Sequence, residues 1–488
     1  MATCTTRKGF LGMATSFAAL LAGCAAQNGT ASDSAQDAAA QPGVSSGARE
    51  QISDNSNGGH AIAVSGETAR YAAVDVNKTG DDNGSDEADF YGTNAAVFAE
   101  EGATLDLEDV TVQTDGSHAN AVFSYGEGTT INIKNSSIHT VSNNSGAIMV
   151  TGGGTLVATD VDARTEGNSS APIRSDRGGG TQQVNGGTYT SGGVGSPVIY
   201  STADVQVSGA TLESTSAQGV VVEGKNSVTL KNCVLTANNT SKNSDKSEWF
   251  QAVMIYQSMS GDAAQGAASF TAEGGSITNQ NGDVFFVNNT VCTIGLKGTT
   301  ITNSDAQGNF LRAAAAGWGN EGSNGGQVTV EAEGQHIDGA MLVDEVSHLN
   351  LYAKGATTFV GSINPEGSGG KVFVSLEGGS IWELTANSNI TSLSCSGDAI
   401  RLNGYVLKVG DAEYKEGSSS SGEPIEVEVS ESAGGPGGGE PPEKPGEGGP
   451  ASGEKPAGEP PAKPDGERPT GEPPAKPDGS STSNMGAK

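Results

Sequence analysis

From Ala121 onward one pattern is written five times in succession, the fifth copy starting at Gly219: AVFSYGEGTTINIKNSSI, AIMVTGGGTLVATDVDA, PIRSDRGGGTQQVNGGTY, PVIYSTADVQVSGATL and GVVVEGKNSVTLKNCVL. Each copy holds a short strand, a Gly-rich or polar corner, a second strand, a second polar corner and a third strand. Counted from Asn94, Asn120, Gly146, Ala171, Pro197 and Gly219, the units recur every 26, 26, 25, 26 and 22 residues. Self-similarity at such a period means a stack of coils in which no unit buries a core alone.

Strand side chains alternate between two faces, so alternate residues of each unit should point into one continuous core. Aligned on their corners, the first strands offer Val122, Ile148, Ile173 and Ile199 as one inward column, with Ser124, Val150, Ser175 and Ser201 as the next. Second strands contribute Leu105 and Leu107, Ile131 and Ile133, Val228 and Leu230, and Ile294 and Leu296. Third strands add Val110, Val112, Val161, Cys233, Leu235, Ile277 and Ile301. An antiparallel sandwich also has short strands, but it does not put one residue class at one place in every unit. Later units start at Gln251, Gly282, Asn309 and Ala340, and insertions at Asn239–Trp249 and Ala315–Gly326 leave the corners. No helix-period segment exceeds about two turns.

The predicted fold class is therefore all-β, a parallel solenoid over residues 59–412. In this span the chain resembles the right-handed parallel β-helices, the fold of pectate lyases, pectin-binding surface proteins and many adhesin-like bacterial proteins. The resemblance speaks to fold; a single solenoid type serves lyases, hydrolases and pure binders.

The ends read differently. Residues 1–23 have a charged start (Arg7, Lys8), a small and apolar stretch from Gly9 to Leu21, and then Leu21-Ala22-Gly23-Cys24. This is similar to a bacterial lipoprotein signal, which implies lipidation of Cys24 and cleavage before it; the apolar run is too short to span a bilayer. Thr6-Arg7-Lys8-Gly9-Phe10-Leu11 also resembles a twin-arginine motif with Lys in the second position, leaving the export route open. Residues 24–58 read as a Ser/Ala/Gln/Gly/Asn tether. Residues 413–488 collapse to Gly, Pro, Glu, Lys, Ser and Asp, and Gly458–Gly466 recurs at Gly471–Gly479; such chain is extended and forms no packed core.

The formal charge of −31 argues against a nucleic-acid partner, because no basic surface is left to displace phosphate counterions. Cys4 and Cys24 belong to the leader and its cleavage point. Cys233, Cys292 and Cys395 alternate with aliphatic residues and read as small core side chains. Asp75-Val-Asn77-Lys-Thr79-Gly-Asp81-Asp-Asn-Gly-Ser-Asp86 resembles a dockerin-type or EF-hand loop, with oxygen ligands at Asp75, Asn77, Thr79, Asp81 and Asp86; Ca²⁺ is the one cofactor the sequence suggests. The alternative is an acidic corner between two coils, since no amphipathic helices flank the run.

Outward positions of the first strands stack into a ribbon. One column reads Phe123, Met149, Arg174, Tyr200, Val221, Met254, Phe285, Arg312; its neighbour reads Tyr125, Thr151, Asp176, Thr202, Glu223, Tyr256. Rings interleaved with Arg, Asp and Glu suit a carbohydrate, ring faces taking C–H patches and charges fixing hydroxyls. The candidate ligand-binding set is Phe123, Tyr125, Arg174, Asp176, Tyr200, Glu223, Tyr256 and Arg312. The competing reading packs the rings beneath the corner insertions. In the lyases that the fold resembles, acids hold Ca²⁺ and a basic residue removes a proton; here Asp176 and Glu223 lie two coils, about 10 Å, apart, too far to share one ion. No catalytic residue is assigned. The expected function is a lipid-anchored surface protein binding a polysaccharide or surface glycan in an adhesin-like way, a monomer held to the membrane through Cys24. A polysaccharide lyase or glycosidase, and a spacer without ligand, are the alternatives.

Overall fold

The computed structural model describes residues 49–427 apart from 83–85, 243–245, 247, 259 and 368. The leader, Cys24, the tether up to residue 48 and the tail from residue 428 lie outside the described residues. The described chain is all-β, a β-helix-like solenoid of long parallel sheets. First strands form an 11-stranded sheet running from Ile62–Ser65 through Val122–Tyr125, Ile148–Thr151 and Asp283–Asn288 to Met341–Val343. Second strands and the third strands as far as Thr300–Asn303 belong to a 22-stranded sheet, and the later third strands, from His336–Asp338 to Ile400–Arg401, form a four-stranded one.

The division between second and third strands is a single bent residue. In Thr130–Thr140 the bend is Asn135, at φ 50°, and in Gly154–Thr165 it is Asp160, at φ 50°. Asn and Asp tolerate this left-handed region better than other residues with a Cβ. One bent residue shifts the side-chain alternation, so both arms of the angle bury their aliphatic residues.

The stacking register agrees with the sequence. Ile148 pairs with Val122 and Ile173, Ile173 with Ile199, and Ile199 with Val220. In the second strands Leu105 pairs with Ile131, Ile131 with Leu156, Val228 with Phe270, and Phe270 with Ile294. All are buried in one cluster. Each fully buried Val, Ile or Leu contributes about 1.5–3 kcal/mol, and this cluster holds the coils together. Cys233, Cys292 and Cys395 are buried free thiols.

Strand pairing extends past both expected limits, 59 and 412, parallel at the first end and antiparallel at the second. Glu50–Asp54 pairs with Val74–Lys78 and closes the first edge. Its sequence, EQISD, has no apolar alternation to announce it. At the other end Ser420–Ser421 runs antiparallel to Ser394–Cys395, covering an edge that would otherwise be open to another chain. The chain then crosses the sheet: Ser392 Oγ donates to Glu423 O (2.8 Å), Asn350 Nδ2 to Ile425 O (2.9 Å), and Ile425 N to Asn350 Oδ1 (2.9 Å).

Candidate functional site

The outward face of the first-strand sheet brings the expected ribbon together, with one correction. Met149 pairs with Phe123 and Arg174, Arg174 with Tyr200, Tyr200 with Val221, and Val221 with Met254. Met254 then pairs with Phe286, and Phe286 with Arg312. Phe285, assigned to the ribbon from the sequence, pairs with Val253 and is buried in the main core. The strand carries two adjacent phenylalanines, and a register error of one residue exchanges the faces.

The ribbon is not an open surface: two separate covers lie on it. The first is the six-residue helix Asp86–Tyr91. It ends at Gly92, whose φ of 70° suits the residue after a helix. A Cβ there would meet Phe98 Cε2 at 2.8 Å and Phe123 Cγ at 2.9 Å, so only glycine lets the chain pass this close to the rings. Phe98, Phe123 and Met149 form a buried cluster with Ala95 against Tyr125. Tyr91 meets the Tyr125 ring edge-on at 5.7 Å. Thr151 Oγ1 donates to Phe90 O at 2.7 Å, satisfying a carbonyl at the helix end.

This helix also delivers a carboxylate. Asp89 Oδ1 lies 3.3 Å from Arg174 Nη1, and Arg174 Nη2 lies 3.1 Å from Asp176 Oδ2. His118 Nδ1 is 3.3 Å from Asp89 Oδ2, while its Nε2 lies 2.9 Å from the side-chain amide of Asn144. Burial raises the Asp89 carboxyl pKa, but Arg174 and His118 outweigh it and hold the group below the usual carboxylate range. Burial dominates at Asp176 and, with Arg174 opposing it, leaves its pKa raised to about 6. Arg174 is held above its ordinary value because the two carboxylates outweigh its burial. The Asp89 contact raises the His118 imidazole.

The second cover comes from the later corner insertions. Val221, Met254, Tyr256, Phe286 and Ala314 are buried together, with Tyr200, Trp249 and Trp318 half-buried around them. Trp318 stands 5.1 Å from Tyr256 and Trp249 5.4 Å from Phe286, both edge-on. Arg312 places its guanidinium 4.5 Å above Trp249 and pairs with Asp283 at 2.6 Å. Beneath these rings lies Glu223, 1 % exposed. Its Oε2 accepts from the Tyr256 hydroxyl at 2.9 Å and also from the Tyr200 hydroxyl. Its Oε1 is buried and has no hydrogen-bond partner among the described residues. Burial drives both phenols well above their ordinary pKa, so they remain protonated donors.

The structure thus gathers Tyr200, Glu223 and Tyr256, sets Arg174 and Asp176 beside them, and places Phe123 and Tyr125 under the helix. Trp249, Phe286, Trp318, Asp89, His118 and Asp262 escaped the sequence reading. Two of the three tryptophans in the chain sit in the insertions that leave the corners, which was the available signal. Nothing in the spacing links Asp89 with Arg174 or Asp262 with Arg177.

The calcium-loop resemblance is not matched by a loop. Asp75 and Asn77 lie in the extended strand Val74–Lys78, where they share one face but stand about 7 Å apart along a straight chain that does not wrap around one ion. Arg49 Nε (2.7 Å) and Gln51 Nε2 (2.6 Å) already engage Asp75. Asp81 Oδ1 accepts from Ser117 N at 2.8 Å. Lys78 is fully buried and pairs with Asp54 at 2.9 Å. The backbone at Thr79 continues the strand pairing through its N–H to Asp54 O, 3.1 Å. Asp86 begins the helix, and its side chain lies outside the description. Among the described residues no three acidic, His or Cys side chains gather as a metal site.

A polar groove of about 930 Å³ lies elsewhere, at the corner between first and second strands, lined by residues including Gln257, Asn289, Gln327, His348, Lys371 and Glu426. Gln327, His348 and Lys371 are successive members of one cross-strand column. Its side chains come from coils that the sequence reading left without a site. Compared with protein families, with characterised proteins and with solved structures, the chain matches none.

Proposed function

We propose that the protein is a bacterial envelope lipoprotein, anchored through Cys24, whose right-handed parallel β-helix binds a surface or host glycan on the first-strand face. The binding site is Tyr200, Glu223 and Tyr256, framed by Trp249 and Trp318. One observation carries this reading: a buried carboxylate with an unpartnered oxygen lies beneath half-buried aromatic rings. Rings of this kind take the C–H faces of a sugar, and a carboxylate oxygen takes its polar hydrogens. Phe123 and Tyr125 belong to the covered half of the ribbon and serve packing.

A glycan array probed with the mature full chain, beside assays for new reducing ends and unsaturated products, tests the reading. Binding without turnover, lost in Tyr200→Ala, is the expected result. Turnover abolished by Asp176→Ala replaces the binder with an enzyme, and silence in both assays leaves a spacer. Lipid labelling of the intact protein, absent in Cys24→Ala, tests the anchor.

A further inference from the structure

The charges on the ribbon are matched one by one, except at Glu223. Arg174 lies between Asp89 and Asp176. Arg177 pairs with Asp262 at 2.7 Å, and Arg312 with Asp283. Glu223 receives two neutral phenols on one oxygen, has no partner on the other, and makes no ion pair among the described residues. A carboxylate removed from water this completely is stable only when paired or fully hydrogen-bonded. What is missing is a cation that also donates hydrogen bonds.

We propose that the Tyr200–Glu223–Tyr256 site recognises a protonated amine on its glycan, making its ligand a de-N-acetylated amino sugar. This rests on the reading of the same face as a glycan site. A sugar hydroxyl would satisfy Oε1 but leave the charge uncompensated. An ammonium group brings three donors and a positive charge together. The hydroxyl oxygens of Tyr200 and Tyr256, already directed at Glu223, keep lone pairs that can accept from the same ammonium. A bare metal ion fits less well, because it would need several hard oxygens and no cluster of acids stands here. The −31 charge of the chain draws a polycation toward the surface at long range.

The test is calorimetric titration of the mature full chain with glucosamine oligomers and with their fully N-acetylated counterparts, below and above the pKa of the sugar amine. The expected result is preference for the free amine of roughly thirtyfold or more, disappearing above that pKa. Glu223→Gln keeps an acceptor for both phenols and should remove the preference while shifting the melting temperature by no more than a few degrees. Trp318→Ala, in a surface insertion, should weaken amine binding several-fold. Equal affinity for both oligomers, or binding only of other glycans with sensitivity to Tyr200→Ala, overturns the amine and leaves the glycan site standing. Binding of no glycan at all removes both.

Discussion

The two halves of the first-strand ribbon use the same scaffold and finish differently. In the N-terminal half, the helix Asp86–Tyr91 seals Phe98, Phe123 and Met149 and brings Asp89 to Arg174. In the C-terminal half, the insertions bring Trp249 to Phe286 and Trp318 to Tyr256 but, among the described residues, no cation to Glu223. A cover that supplies the complementary charge closes its half of the ribbon, and the cover that leaves Glu223 without one is the half proposed above to take a ligand. The largest expected effect follows. Arg174→Ala strands two buried carboxylates and should cost about 3–5 kcal/mol of stability. Glu223→Gln removes a charge with no counter-ion and should change stability by less than about 1 kcal/mol, in either direction. Denaturant melts of the two variants check the contrast, and equal losses would break it.

Gly92→Ala comes next. The residue has positive φ and no room for a Cβ above Phe98 and Phe123, so the variant should lose about 1–3 kcal/mol. Hydrogen exchange should locate the loss in Asp86–Tyr91 and leave residues 249–256 unchanged. Spread of faster exchange into the second cover would show that the halves are not independent.

The halves also differ in their response to pH. Asp176 is raised to about 6, so the folded state holds a proton there that an unfolded carboxyl, near pKa 3.9, has lost. Stability therefore rises as pH falls from above 6 toward 4. His118, raised by Asp89, acts in the same direction: its contribution is complete below the unfolded value of about 6.5 and is lost as pH rises through the folded pKa. Asp89 opposes them at the acid end, since its lowered pKa gives stability that is lost as pH falls through it. Asp82, Asp262 and Tyr200 are the other titratable groups acting on this cluster. The melting temperature should be higher near pH 5.5 than at pH 8, by a few degrees, and Asp176→Asn should flatten most of that slope. No slope in the parent protein would remove Asp176 and His118 as titrating members.

The repeat made the stack legible because a parallel coil returns the same residue class to the same column: Val122, Ile148, Ile173 and Ile199 need nothing else to be identified. The same logic located Tyr200, Glu223 and Tyr256 on one face. It failed where periodicity is silent. Glu50–Asp54 is polar and adds only an edge strand. Phe285 and Phe286 are adjacent and alike, so composition cannot choose which faces inward. Asp89 reaches Arg174 across 85 residues through a short helix inside an insertion, and insertions by definition break the repeat. The sequence left open whether the aromatic ribbon binds a ligand or packs beneath the insertions, because hydrophobic columns on both faces of a strand carry no mark of what covers them. The acidic run at Asp75 resembled an ion loop because spacing alone does not reveal that Val74–Lys78 is an extended strand.

Arg177 joins the helix cover to the loop that follows Tyr256, a member of the second cover. The guanidinium of Arg177 stacks 3.8 Å from the Phe90 ring in the helix and also pairs with Asp262 in the later loop. Arg177→Lys keeps a charge for Asp262 but gives up the planar stack and the second hydrogen bond, which Nε and Nη2 now share on Asp262 Oδ1. The expected loss is small, about 0.5–1 kcal/mol, because the contact is only partly buried. Its value lies in the coupling. If Arg177 links the covers, Phe90→Ala and Asp262→Ala should be non-additive in a double-mutant cycle, and Arg177→Lys should abolish that non-additivity. Strict additivity in the parent protein would mean that each cover closes on its own, and the completed and uncompleted halves of the ribbon would then be separate devices on one scaffold.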